Sequence, residues 1–477
     1  MDTAYTMTIN GRVVTGSESM NVINPANGAI FATAPDCTRQ ELDAAVDAAR
    51  RAFPAWKATP IGKRKELILA FAGAISQHAN ELARLLTKEQ GKPVDDAMYD
   101  VLAGAAWLSE WTKHDLPEHI SEDTDERKAV TRFEPIGVVA ALVPWNFPIV
   151  LAMFKVAPAL LAGNTMVLKP SPTTPLTTLK IGELARSIFP AGVLNVISGG
   201  DRLGPWMTSH PGFDKISFTG STQTGKKVAE SAARDLKRVT LELGGNDAAI
   251  VMADVDVASV ARELFWAAFK NAGQICIASK RMYIHEDVYE PIKQAMADYA
   301  REVRVGDGSE QGTQIGPIQN KAQFERVVGL LEDSKSNGHK FVVGGNVPSA
   351  KGYFIPVTII DNPPEHARIV QEEQFGPVLP LMKFSDTNEV VERANATNYG
   401  LGASIWTKNL ELAEDLAGRL QAGTIWINES QYLSPHAPFG GHKQSGIGTE
   451  GGPEGLLEFT VAKTVFLRKP AASKATP

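Results

Sequence analysis

Between Gly137 and Leu241 the chain repeats one pattern, a short run apolar on both faces followed by a helical stretch. The runs are Gly137 to Val143, Thr165 to Leu168, Val193 to Ile197, Lys215 to Phe218 and Arg238 to Leu241. Helical stretches fill the intervals at 149–161, 176–188, 203–208 and 224–235. A strand with two apolar faces must be covered on both, and a helix between two such strands is the crossover that parallel pairing requires. The pattern therefore predicts an α/β fold built on a mostly parallel sheet, with ligands at the carboxyl ends of its strands.

The flanks follow other rules. From Thr38 to Phe53 the apolar residues Leu42, Ala45, Val46, Ala49 and Phe53 keep helical spacing, and Thr38 with Glu41 makes a capping box. Residues 62–87 and 95–113 read as two further long helices, separated by Gly91-Lys92-Pro93. The polar segment 117–128 and the alternating 129–133 read as a surface strand pair. A second α/β series begins at Asn246, with strands at 248–252, 282–284 and 424–427, and the paired Gly244-Gly245 marks a boundary. The apolar Thr464 to Leu467 read as a final strand seeking a sheet edge, with a neighbouring subunit as one candidate.

Bulk properties exclude several classes. A net charge of −6 without a dense Lys/Arg cluster argues against nucleic acid and anionic membrane as partners. The apolar stretch 137–163 is broken by Pro144, Asn146, Pro148, Lys155 and Pro158, so it is no membrane span, and Met1 to Val14 lacks the build of a signal peptide. The two cysteines, Cys37 and Cys276, suit a reduced, cytoplasmic setting. None of the nine histidines falls in a ligand pattern, so no metal is expected.

Seven segments carry chemistry. Two prolines in Pro144-Trp145-Asn146-Phe147-Pro148 fix a turn at a strand end, where the Asn146 amide could serve an oxyanion or merely its own backbone. Lys169 follows another strand, as a cofactor contact or a plain solvated lysine. The segment Phe218-Thr219-Gly220-Ser221-Thr222-Gln223-Thr224-Gly225 opens a helix and could approach a phosphate, although its glycines do not make the G-x-G-x-x-G fingerprint. Glu242, among apolar residues in Thr-Leu-Glu-Leu-Gly-Gly, is costly to bury unless paired or protonated, which suits a general base. Cys276 closes Asn271-Ala272-Gly273-Gln274-Ile275-Cys276 as a nucleophile or a buried small hydrophobe, and Cys37 fits only the second description. Loops 371–378 and 438–446 are richer in glycine and aromatics than connectors need.

In order and spacing, these segments closely resemble the aldehyde dehydrogenase superfamily from about Asn24 to Leu467, through P-W-N-F-P, K-P-S, F-T-G-S, L-E-L-G-G, G-Q-x-C, E-x-F-G-P and P-F-G-G-x-K-x-S-G. The resemblance implies a catalytic set of Cys276, Glu242, Asn146 and Lys169. Cys276 would add to an aldehyde, Asn146 and the Cys276 N–H would hold the oxyanion, and Glu242 would activate water against the resulting thioester. It implies a cofactor site of Trp145, Lys169, Ser171, Gly220, Ser221, Gly225, Leu243, Glu373 and Phe375, with Lys169 at the adenosine ribose and Glu373 at the nicotinamide ribose. The implied substrate pocket is Phe147, Leu151, Phe154, Ile275, Ile277 and Leu433. The implied architecture is a Rossmann-type NAD(P)-binding domain at 1–116 and 136–244, an α/β catalytic domain at 245–445, and a small β oligomerisation arm and tail at 117–135 and 456–477. A homodimer or homotetramer is expected.

One departure concerns the cofactor. Many NAD-preferring members carry Glu three residues after the lysine, where this chain has Pro172, so the expected cofactor is NAD with NADP not electrostatically excluded. The pocket holds no arginine for a second carboxylate, which favours a neutral aromatic or medium-chain aliphatic aldehyde over semialdehydes. Glu242 argues against a CoA-acylating relative, the lack of a motif-placed histidine against a cysteine hydrolase, and the presence of both Cys276 and Glu242 against a non-catalytic protein.

Overall fold

The computed structural model describes residues 4–470, so the first residues of the N-terminal segment and the end of the expected tail, 471–477, lie outside the described residues. The first sheet contains the five expected runs as strands Val138–Leu142, Thr165–Lys169, Leu194–Val196, Lys215–Thr219 and Arg238–Glu242. Counted along the chain, their spatial order is third, second, first, fourth, fifth, and every pairing among them is parallel. The order reverses beside Val138–Leu142, and such a switch leaves a crevice at the carboxyl ends of the strands. Register fixes what gathers there, since Leu142 pairs with both Lys169 and Phe218, and Thr219 pairs with Glu242. Antiparallel Met7–Ile9 and Arg12–Val14 finish one edge, and Gly446–Ile447 finishes the other by pairing with Leu241 and Glu242.

Helices cover both faces. Val138–Leu142 and Thr165–Lys169 are buried at every residue, as the doubly apolar runs require. Helix Arg39–Ala58 starts at Thr38 with the expected capping box, but it continues through Pro54. Burial of Trp56 beyond the proline helps offset the roughly 3 kcal/mol that an interior proline costs. The single helix expected over 62–87 is two, Ile61–Gln77 and Ala79–Gln90. At the break, His78 leaves helical geometry with ψ 11°, and its backbone N–H and ring Nδ1 both lie on the Ala74 carbonyl.

The second sheet runs Lys340–Val343, Thr358–Asp361, Val378–Phe384, Ser279–His285, Asp247–Val251, Gly402–Trp406, Thr424–Ile427, parallel except for its first pair. Four of these strands were not legible in the pattern; Pro380 interrupts the run of Val378–Phe384, the glycines at 400 and 402 that of Gly402–Trp406, and Lys340–Val343 and Thr358–Asp361 are only four residues long. Apolar residues between Met7 and Leu243, with Leu456 and Phe459, form one core, and those between Ala248 and Leu420 form a second.

The segment 117–133 forms strands Glu118–Asp123 and Arg127–Pro135, as expected. The final strand, Thr460–Arg468, finds a sheet edge within the same chain, pairing antiparallel with Arg127–Pro135 from Thr460↔Pro135 to Arg468↔Arg127. The other edge of Thr460–Arg468 stays open, and Val465, Phe466 and Leu467 are exposed on it. Among the described residues no helix is long and apolar enough to cross a membrane, and no cluster of His, Cys, Asp and Glu is arranged to hold a metal.

Candidate active site

After helix Val257–Phe269 the chain enters a turn in which Asn271, Ala272 and Gly273 all take left-handed φ, at 51°, 56° and 70°. Two of them carry a Cβ, and such a conformation costs about 1–2 kcal/mol for each, so the surroundings must impose it. The amide side chains do so. Asn271 Nδ2 donates to the carbonyls of Asn146 (3.2 Å) and Gln274 (3.4 Å), while its Oδ1 accepts from Gln90 Nε2 (3.3 Å). Gln274 Nε2 donates to the Asn271 carbonyl (3.0 Å), and its Oε1 accepts from the Gln319 N–H (2.9 Å). Gly273 is required at the third position, because a Cβ there would stand 2.3 Å from the Gly376 oxygen. Cys276 thus emerges from a clamped turn.

Asn146 is buried in the turn after Val138–Leu142, and its Nδ2 donates to the Gln274 carbonyl at 3.0 Å, two residues before the cysteine. One amide hydrogen is committed there and the second is left for another acceptor. Glu242 ends its strand only 4% exposed, and neither carboxylate oxygen has a hydrogen-bond partner. Burial above all, then repulsion from Glu450, raises its pKa well above the carboxylate range, against the pull of Lys155. Lys155 and Glu450 themselves form a buried ion pair at 2.5 Å. Burial also pushes the half-buried Cys276 thiol up to about 12; Lys280 opposes this, while Asp247, Glu373 and Glu242 add to it. No hydrogen bond joins Glu242 to Cys276. The site therefore holds a thiol and an unpaired buried carboxyl with no hydrogen bond between them.

The expected cofactor residues line the same crevice. Helix Thr222–Ala233 begins two residues earlier than its sequence pattern implied, because Ser221 is its N-cap and accepts from the Thr224 N–H. The Ser221 hydroxyl donates to Thr224 Oγ1 (2.9 Å), so what the helix end offers an anion is backbone N–H groups. Gly225 serves close packing, since a Cβ there would meet Leu243 Cδ2 at 2.3 Å, and a Cβ on Gly220 would meet the Phe218 ring at 2.5 Å. Lys169 is buried, which lowers its pKa to about 8, and its Nζ donates to the Pro170 carbonyl (3.0 Å). Ser171 lies beside it with its hydroxyl on Thr173. Trp145 stands edge-on to Phe375, ring centres 5.4 Å apart, and Glu373 accepts from the Gly245 N–H (3.1 Å). The cradle, its helix end and its glycines fit a dinucleotide.

Four of the six expected pocket residues meet at the cysteine. Phe147, Leu433 and Cys276 pack on a cluster of Ile275, Ile277, Ala278, Leu401, Trp426 and Phe439. Leu151 and Phe154 belong to the first core, reached through Leu433, and Phe154 stacks on Trp107 at 3.8 Å. Sequence reasoning missed Trp107, Trp426, Phe439, the pair Lys155–Glu450, and the buried Asp247 and Lys280. Of these charges only Lys155 left a signal, as an ionisable residue inside the apolar run Met153-Phe154-Lys155-Val156-Ala157.

The profile of the aldehyde dehydrogenase family matches residues 13–465. An aldehyde dehydrogenase of a Fusarium species is 42% identical over 98% of this chain and 99% of its own length. The phenylacetaldehyde dehydrogenase of Pseudomonas fluorescens is 39% identical, covering 97% of this chain and 96% of its own. Among solved structures, an NAD+ complex of an aldehyde dehydrogenase from Bacillus cereus superposes with a TM-score of 0.95 at 37% identity, covering 98% of this chain and 97% of that one. A profile spanning nearly the whole chain, joined to these matches in sequence and shape, means that the chain belongs to the aldehyde dehydrogenase family.

Proposed function

We propose that this protein oxidises a neutral, hydrophobic aldehyde, aromatic or medium-chain aliphatic, to the carboxylic acid. The observation that carries the reading is the convergence on one crevice of a clamped Cys276, the Asn146 amide and the unpaired Glu242 carboxyl. In this reading Cys276 gives up its proton to solvent water and, as the thiolate, adds to the carbonyl carbon. Asn146 Nδ2 and the Cys276 N–H hold the oxyanion. Collapse of the hemithioacetal leaves a thioester on Cys276, and Glu242 takes a proton from the water that hydrolyses it. When bound, a nicotinamide dinucleotide supplies the hydride acceptor. Lys169 and Ser171 would hold it near the adenosine ribose, Gly220, Ser221, Gly225, Leu243 and Trp145 around the pyrophosphate, and Glu373 with Phe375 at the nicotinamide end. The relative solved with NAD+ supports NAD, and Pro172 leaves NADP unopposed by charge.

The apolar wall of Phe147, Ile275, Ile277 and Leu433, without an arginine, supports an uncharged substrate. The relative named for phenylacetaldehyde is consistent with it. The domain division near Gly244-Gly245 is supported by the two separate cores, and assembly into a homodimer or homotetramer by the open apolar edge of Thr460–Arg468. A panel of aldehydes with NAD and with NADP, read by absorbance of the reduced cofactor, tests the function with Cys276→Ala as control. Benzaldehyde and hexanal should outperform succinate semialdehyde. No reduction across the panel, or full activity in Cys276→Ala, defeats the reading.

A further inference from the structure

Strand Ser279–His285 starts three residues after the cysteine, and its second residue, Lys280, is a lysine only 3% exposed. Its side chain folds back on the turn. The ammonium donates to the Cys276 carbonyl at 2.6 Å, lies 3.4 Å from Glu373 Oε1, and sits 5.9 Å from the centre of the Phe375 ring. A second buried charge shares the spot. Asp247 is 5% exposed, no side chain donates to either of its oxygens, and a Cβ on Gly245 would meet both Asp247 Oδ1 and the Cys276 oxygen at 2.7 Å. The cysteine carbonyl, the Gly245 backbone, an ammonium and two carboxylates are therefore packed together behind the thiol.

We propose that Lys280 is the positioning residue of the cysteine: it anchors the Cys276 carbonyl and supplies the positive charge that favours the thiolate. The inference rests on the reading of Cys276 as nucleophile. An ammonium-to-carbonyl bond at this distance is charge-assisted and holds the cysteine backbone more firmly than a neutral bond. In a water-poor site a cation beside a thiol favours the thiolate, and anions disfavour it. The charged groups facing Cys276 are Lys280 on one side of this balance and Asp247, Glu373 and Glu242 on the other, with burial also favouring the thiol. Lys280 is the counterweight to three carboxylates. It also bridges the cysteine turn to Glu373, so the carbonyl and the cofactor loop are fixed by one side chain.

The test is the rate at which iodoacetamide alkylates Cys276 in the intact cofactor-free protein, as a function of pH. Cys37 is the other cysteine, and Cys276→Ala measures its background. Lys280→Met keeps the length of the side chain and removes charge and donor. It should slow alkylation about tenfold at fixed pH and move the midpoint upward, a tenfold change corresponding to about one pKa unit. Lys280→Arg, which restores a cation, should recover most of the rate. Asp247→Asn tests the opposite sign with the lysine intact. Asp247 titrates at about 7, so at about pH 8 it is mainly ionised, and neutralising it should speed alkylation. General damage to the turn slows both variants, whereas the electrostatic role slows one and speeds the other. Wild-type alkylation in Lys280→Met overturns the proposal, as does a rate in Asp247→Asn that is unchanged or lower. If Lys280→Met does not fold, Asp247→Asn decides alone. Failure of the wild type to oxidise any aldehyde would sink the nucleophile reading instead, an outcome distinguishable from unchanged alkylation in an active enzyme.

Discussion

Gly273→Ala probes whether the left-handed turn sets the cysteine's position. A Cβ built at residue 273 lies 2.3 Å from the Gly376 oxygen and 2.8 Å from its carbon. Real Cβ atoms essentially never approach within 3.0 Å, so the turn and the E-x-F-G-P loop must separate by at least 0.7 Å, the difference between 3.0 and 2.3. Both obstacles are backbone, and no side-chain rotation relieves them. To this is added the cost of φ 70° for alanine, about 1–2 kcal/mol, and overpacking typically costs about 1–3 kcal/mol more. A misplacement approaching 1 Å in a reacting group can lower turnover about 100-fold. The expected result is a kcat/KM reduced about 10- to 100-fold, with a lower melting temperature, measured against Gly329→Ala. Gly329 is helical and has nothing within 4 Å of a built Cβ, so its alanine variant should be neutral or slightly more stable. If Gly273→Ala kept kcat/KM within about twofold of wild type and melted with it, the claim that this turn positions the nucleophile would be wrong.

Three further outcomes follow from the buried charges. Glu242→Gln should halt turnover after thioester formation, giving a rapid burst of reduced cofactor followed by a slow steady rate; a loss of the burst itself would place Glu242 in the first step. The same variant should be more heat-stable than wild type at about pH 8 but not at about pH 4. The folded-state pKa of Glu242 is raised, so the charged form is penalised in the fold, and that penalty grows as pH rises above the ordinary carboxylate value; equal stabilisation at both pH values would refute it. Lys155→Met strands Glu450 without its partner and should cost about 3–5 kcal/mol in denaturant unfolding, with Glu450→Gln recovering part of the loss. An unchanged midpoint would mean the pair is not buried as described.

Much of the fold was legible because parallel strands advertise burial on both faces, and four of the five runs between Gly137 and Leu241 are buried throughout, the fifth being exposed only at its start. The second sheet was half hidden. Val378–Phe384 carries Pro380, which breaks the run without breaking the parallel ladder. The motif residues were legible as types: an amide, a carboxylate and a thiol near strand ends. The break at His78 and the two-residue shift in the helix after Ser221 were not, because end geometry depends on which carbonyls and side chains compete for each N–H.

Sequence alone determined which groups are present and that strand ends would carry them, since periodicity and strand-end residues are local properties. Only the tertiary structure decided their electrostatic company. Glu242 lies 208 residues before Glu450 (450 − 242), and Lys155 295 before it, yet their charges act on one another in the fold. Nothing in the spacing of the sequence sets Lys280 apart, and only the fold lays its ammonium on the Cys276 carbonyl. Desolvation and Coulomb attraction depend on distance in space and on excluded water, and neither is written in the spacing of residues along the chain.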